Sequence, residues 1–206
     1  TDVPLFDNKS FTYDGVSDYV DCGDNNNLSF GDGSTDSPFS ISAWIKVTTS
    51  TSFTIVGKYL AYPNGEYKFV KLSDGRLLIR IISLNNELNR RGRTTNSIDS
   101  LVGQWVHVVS TYNGNSDYSG LKIYVDGVRS DVANNGKNTY TAMNNTTYPL
   151  DIGEFANTNI NDISIFNTEL TQANVSTIFN GGLPNNISAL SPLGYWRAEQ
   201  VTFDGT

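Results

Sequence analysis

The chain has 206 residues, a size that suits one β-sandwich or barrel, and its 38% apolar content is enough for a core. Its net charge of −7 argues against a nucleic-acid binder, which needs a basic face, and its single cysteine excludes an internal disulfide or a thiolate metal cluster. No apolar run approaches the roughly 20 residues needed to cross a bilayer, and TDVPLFDNKS lacks the basic and apolar regions of a secretory signal, so a soluble chain without membrane insertion is expected. The first short strands are KSFTY and DYVDC, joined at Asp14-Gly15, with Cys22 expected as a packed thiol. A polar loop, DNNNLSFGDGSTDSP, follows, and its Asp32–Asp36 segment reads as a polar turn.

FSISAWIKV then alternates cleanly: Phe39, Ile41, Ala43 and Ile45 face one way, and Ser40, Ser42, Trp44 and Lys46 the other. SFTIVGKY, EYKFVKL and RLLIRII continue the pattern, with Asn64-Gly65 and Asp74-Gly75 as hairpin turns. NELNRRGR reads as an arginine-rich turn. WVHVVSTY and LKIYVDG form a later pair, and PLDIGEF and NINDISIFN close the sheet region. In FNTELTQANVSTIFNGG, Leu170, Val175, Ile178 and Phe179 share one helical face, Thr168 or Thr171 can cap the start, and Gly181-Gly182 ends it. The pattern predicts an all-β, two-sheet antiparallel sandwich with one short C-terminal helix.

Four phrases in order, FTYDGVSDYVDCG, FSISAWIKV, GQWVHVVSTYNG with LKIYVDGV, and INDISIFNTELTQANVSTIFNGG, resemble the concanavalin A-like lectin and glucanase superfamily, in particular its laminin G-like (pentraxin-like) domains. The resemblance implies a jelly-roll sandwich over residues 1–182. Residues 183–206 form a C-terminal extension, either a strand that returns to the sandwich through Tyr195 and Trp196 or the start of a following unit. It does not settle function, because this fold hosts lectins, adhesion modules, glycosidases and lyases.

The aspartates of the opening phrase have two readings. Asp14-Gly15 suits a turn, and Asp18 and Asp21 suit solvent-facing strand positions. The resemblance implies instead a structural Ca²⁺ that links the opening turn to the closing strand through Asp14, Asp18, Asn161 and Asp162. An oxygen-rich set of that kind suits a hard cation. Asn161 stands where the family has an aspartate, which lowers the ligand charge.

Catalytic candidates are sparse. Glycoside hydrolysis needs two carboxylates flanking the bond, and the glutamates, Glu66, Glu87, Glu154, Glu169 and Glu199, are dispersed. The one histidine, His107, sits in a strand and reads as a packed residue. The chain is therefore expected not to be an enzyme. Tyr59, Tyr62, Tyr118, Tyr140 and Tyr148 lie in candidate binding loops, and Arg90, Arg91 and Arg93 form a cationic group in an acidic protein. A ligand set of Tyr62, Arg90, Arg91, Arg93 and Tyr118 would suit a glycan, including an anionic polysaccharide.

The function expected is a non-catalytic carbohydrate-binding or adhesion module on an extracellular or virion surface protein, such as a phage tail-fibre or capsid-decoration protein. The alternative is a purely structural module that contacts other virion or surface proteins or copies of itself. A glycan-active hydrolase or lyase ranks last.

Overall fold

The computed structural model describes residues 9–48, 51–59, 65–83 and 89–198. Alternation is the reason most segments become strands. It gives each one an apolar edge to bury and a polar edge to leave in water. The strands are β1 (Phe11–Thr12), β2 (Val20–Asp21), β3 (Phe39–Lys46), β4 (Phe53–Tyr59), β5 (Gly65–Lys71), β6 (Arg76–Ile82) and β7 (Arg90–Ser97), then β8 (Trp105–Tyr112), β9 (Leu121–Val125), β10 (Val128–Arg129), β11 (Asp131–Asn134), β12 (Asp151–Ile152), β13 (Asn159–Phe166) and β14 (Gly194–Trp196). They form two seven-stranded antiparallel sheets. The first runs β1-β13-β3-β8-β9-β10, with β14 also on β13, and the second runs β11-β7-β6-β5-β4-β12-β2. The all-β two-sheet sandwich expected from the sequence is the fold.

The inward edges meet in one core. Phe39, Ile41, Ala43 and Ile45 of β3 pack with Tyr67 and Phe69 of β5 and Ile79 and Ile81 of β6. Phe30 stacks on Phe39 at 4.6 Å between ring centroids.

The outward edge of the first sheet is covered by α1 (Gln172–Phe179). Thr171 caps this helix, and a reciprocal bond to Asn174 completes a capping box. Its stop differs from the expected glycine pair: Asn180 takes the left-handed position (φ 48°), ahead of Gly181 and Gly182. Val175 and Ile178 pack on Val109, Tyr124 and Phe166, and Phe179 stacks on Trp44 and His107. His107 is fully buried, with its Nε2 2.8 Å from Ser42 Oγ, and burial drives its pKa down to about 3.

Two local readings need correction. Asp14-Gly15 does not join a hairpin. β1 pairs with β13 in the first sheet and β2 with β12 in the second, so the chain crosses between sheets there. The arginines of NELNRRGR are not a turn either. Arg90, Arg91 and Arg93 lie in β7, paired with β6.

Unlike the first sheet, the second sheet's outward face carries no helix among the described residues.

Candidate functional site

Register alone arranges the chemistry of that open face. Residues directly opposite in neighbouring strands point to the same side. Asp21 of β2 faces Asp151 of β12, Asp151 faces Gly57 of β4, Gly57 faces Lys68 of β5, and Lys68 faces Arg80 of β6, which faces Gly92 of β7. The result is one transverse row whose steps are about 4.8 Å. Two carboxylates stand side by side at one end, two cations stand side by side beyond them, and a residue without a side chain separates the pairs. A Cβ at Gly57 would come within 3.1 Å of Thr54 Cγ2 and 3.3 Å of Lys68 Cβ, so the gap depends on glycine.

Beside the row lies a groove of roughly 290 Å³. Val70 and Leu78 give it an apolar floor, and Thr54, Tyr59, Lys68, Arg80, Glu154 and Phe155 supply its walls. Lys68 Nζ sits 3.6 Å above the Tyr59 ring centroid, and Arg80 donates from Nη2 to Asn135 Oδ1 at 3.0 Å. Phe155 is 59% exposed and has φ +61°, a conformation that a bulky residue rarely adopts. The turn is held by bonds from Ala156 N–H to Gly153 O (2.9 Å) and from Thr54 N–H to Glu154 O (2.9 Å). Gly153, at φ +80°, leaves room for the Tyr13 ring, which a Cβ would meet at 2.3 Å.

The carboxylates of this face are perturbed. Burial, then Asp21 and Glu154, push Asp151 up to about 6, and its buried Oδ1 has no hydrogen-bond partner. Burial raises Glu154 as well, against the pull of Lys68 and of Thr54. Burial, then Asp151 and Asp21, push the half-buried Cys22 thiol up to about 11, which leaves it inert near neutral pH.

The sequence-derived ligand set scatters. Tyr62 lies outside the described residues. Arg91 and Tyr118 do meet. The Arg91 guanidinium lies 5.0 Å from the Tyr118 centroid and 5.7 Å from that of Tyr140, and its Nη1 donates to Arg90 O and Asn138 O. Arg93 is bound by Asp131 and Asn134. Arg90 stands on the opposite side of β7, because successive strand side chains alternate.

Tyr140 leads to Asp36, which is a junction and not a polar turn. Its carboxylate accepts bonds from Tyr112 OH (2.6 Å), Tyr140 OH (2.7 Å), Ser116 OH (3.3 Å) and Met143 N–H (2.8 Å).

The proposed calcium ligands do not form one coordination sphere. Asp14 Oδ1 accepts the N–H groups of Val16 (2.8 Å) and Ser17 (3.2 Å), and Asp18 Oδ2 accepts that of Asp14 (3.1 Å). Asn161 lies opposite the other end of β1, where its Nδ2 donates to Lys9 O at 2.9 Å. The pairing of Thr12 with Asn159 separates Asp14 from Asn161 by about 13 Å along the strand. Asp162, in a bulge at φ +48°, accepts from Tyr195 OH (2.9 Å) and pairs with Arg197 Nε (2.7 Å), while Asn161 Oδ1 accepts from Ala198 N–H (2.8 Å). Side-chain bonds from Asn161 and Asp162 thus tie both chain ends to β13. Among the described residues, no three His, Cys, Asp or Glu side chains converge as for a metal.

Lys68, Arg80, Asp151 and Phe155 escaped sequence reasoning. The phrases PLDIGEF and EYKFVKL were read as strands, but nothing in either reveals which residues face each other across β4.

Comparison with known proteins agrees with the architecture. Among solved structures, the receptor-binding domain of botulinum neurotoxin mosaic serotype C/D, with tetraethylene glycol on its Hcn sub-domain, superposes with a TM-score of 0.62 at 18% identity, over 88% of this chain and 45% of that one. The binding domain of botulinum neurotoxin serotype D gives 0.61 at 19% identity, over 87% and 44%. The binding domain of botulinum neurotoxin DC, in complex with SialylT, gives 0.51 at 23% identity, over 70% and 35%. The chain thus spans less than half the length of these structures. No relative was found among curated proteins. A family model described as the concanavalin A-like lectin/glucanases superfamily, of laminin G type, matches residues 14–176, and the chain belongs to that family.

Proposed function

We propose that the chain is a carbohydrate-binding module that holds glycans on the outward face of its second sheet and does not cleave them. The observation that carries this reading is Phe155, a large aromatic ring exposed at a strained turn, over an apolar floor, beside Glu154 and Lys68. Strain of that kind costs on the order of 1–3 kcal/mol and is characteristic of ligand clamps. A sugar ring has an apolar C–H face and a rim of hydroxyls. An aromatic platform flanked by carboxylates and cations offers each of them a partner.

Binding is favoured over hydrolysis by the position of the carboxylates. Asp21 and Asp151 are cross-strand neighbours at one end of the row, whereas cleavage needs two carboxyl groups on opposite sides of the glycosidic bond. In this reading the module serves adhesion on an extracellular or virion surface, where glycans are presented. One fold neighbour is described as a complex with SialylT, and another as entering cells through two ganglioside molecules. At their low identity that likeness speaks for the fold, and the reading rests on the groove.

A glycan array with the wild type and Phe155→Ala tests it. Selective binding that Phe155→Ala abolishes, with no release of reducing ends from the bound glycan, is expected. A blank array for the wild type, or binding indifferent to Phe155, overturns the proposal, and release of reducing ends overturns its non-catalytic part.

A further inference from the structure

The open face places like charges together. A sheet selected for stability alone would set Asp21 or Asp151 opposite Lys68 or Arg80, because opposite charges across a strand pair attract and like charges repel. Here Asp21 faces Asp151, and Lys68 faces Arg80. Each cation is steadied by a local partner, Lys68 by the Tyr59 ring and Arg80 by Asn135. Arg90 adds a third. It lies on the same side of β7 as Gly92, diagonal to Arg80. Three cations thus gather on one stretch of a protein with 14 basic against 21 acidic residues. Glu154 is the carboxylate that faces them from the groove wall.

We infer that the Lys68–Arg80 end of the groove is a subsite for an acidic sugar, whose carboxylate or sulfate group accepts hydrogen bonds from these two side chains. The inference rests on the carbohydrate-binding reading and names the ligand class. Two steps of the row separate Lys68 from Asp151, about 10 Å, the reach of a disaccharide. A chain lying across the strands therefore meets cations at one end and carboxylates at the other, with Gly57 leaving the space between them. The acidic unit binds over β5 and β6, and the hydroxyls of its neighbour donate to Asp151 and Asp21. The reverse orientation sets anion against anion and is rejected, which gives the groove a direction as well as a charge preference.

The test is calorimetric titration of the full chain with matched pairs: lactose against sialyllactose, lactose against 3′-sulfolactose, and cellobiose against cellobiouronic acid. Acidic forms are expected to bind at least about tenfold more tightly than their neutral parents, since hydrogen bonds to charged groups are the stronger class. The preference should shrink with added salt. Lys68→Gln and Arg80→Gln should each bring acidic and neutral forms toward parity, whereas Phe155→Ala should weaken both alike. Neither charge variant should lower the melting temperature, because each relieves a like-charge pair. Preference in the carboxylate pairs only, or in the sulfated pair only, identifies the anion the subsite takes. Equal affinity for acidic and neutral forms overturns the inference and leaves the carbohydrate reading standing. Binding of neither form overturns both.

Discussion

Asp151→Asn isolates the cost of the carboxylate pair. Asp151 faces Asp21 across β12 and β2 and is pushed from 3.8 up to about 6 by burial, Asp21 and Glu154. A raised carboxylate pKa means that the folded state holds the proton more tightly than the unfolded chain. Below pH 4 both states are protonated and the pair costs nothing. The penalty grows between pH 4 and 6 and is full above pH 6. A shift of about two units corresponds to roughly 3 kcal/mol. Asp21 is largely exposed and the groove is wet, so screening reduces that to about 1–2 kcal/mol. Asp151→Asn should therefore stabilise the protein by about 1–2 kcal/mol at pH 7.5 and by almost nothing at pH 4. For a chain of this size that is a rise in melting temperature of about 2–8 °C at the higher pH. Urea unfolding followed by the fluorescence of the three tryptophans gives both values. An equal effect at the two pH values, or none at pH 7.5, would show that Asp151 carries no electrostatic penalty.

Two further predictions concern the interior. Lys58 is fully buried and donates to Asp24, Ser29, Glu66 and the Thr146 carbonyl, with Glu66 equally buried. Lys58→Met strands the Glu66 charge and should cost about 3–5 kcal/mol, while the double variant Lys58→Met/Glu66→Leu should recover most of it; a double variant as unstable as the single one would contradict this account. His107, held neutral down to about pH 3, binds its proton only on unfolding. Its contribution is intact above pH 6.5 and falls as pH drops, by about 2–3 kcal/mol at pH 4.5. Its ring resonances should stay constant from pH 8 to 5, and a titration near 6.5 would refute the assignment.

Strand identity was legible in the sequence because burial writes itself as alternation. β3 is the clear case, with every second residue in the core. The helix was legible through its apolar face and threonine cap. β7 was not, because its arginines and threonines suit a strand only when the outward side is wet and the edge is met by β11 and the Tyr118 and Tyr140 rings. The groove was illegible for another reason. Lys68, Arg80, Asp21 and Asp151 are unremarkable strand residues in isolation. Their meaning comes from register, which is set by hairpins and bulges far along the chain. The Arg90–Arg93 group was visible as an oddity, but strand alternation divides it between two faces.

Asp36 has a consequence for the order of folding. Its partners Tyr112, Tyr140 and Met143 are 76, 104 and 107 residues away in sequence. Contacts that close such long loops form late, since the entropy of closure must be met before they give any return. The junction is thus assembled after the sheets have found each other, and Asp36→Ala should leave the refolding rate nearly untouched while accelerating unfolding. The carboxylate acts as a clasp on a finished sandwich, setting how long the native state lasts and not how fast it is reached.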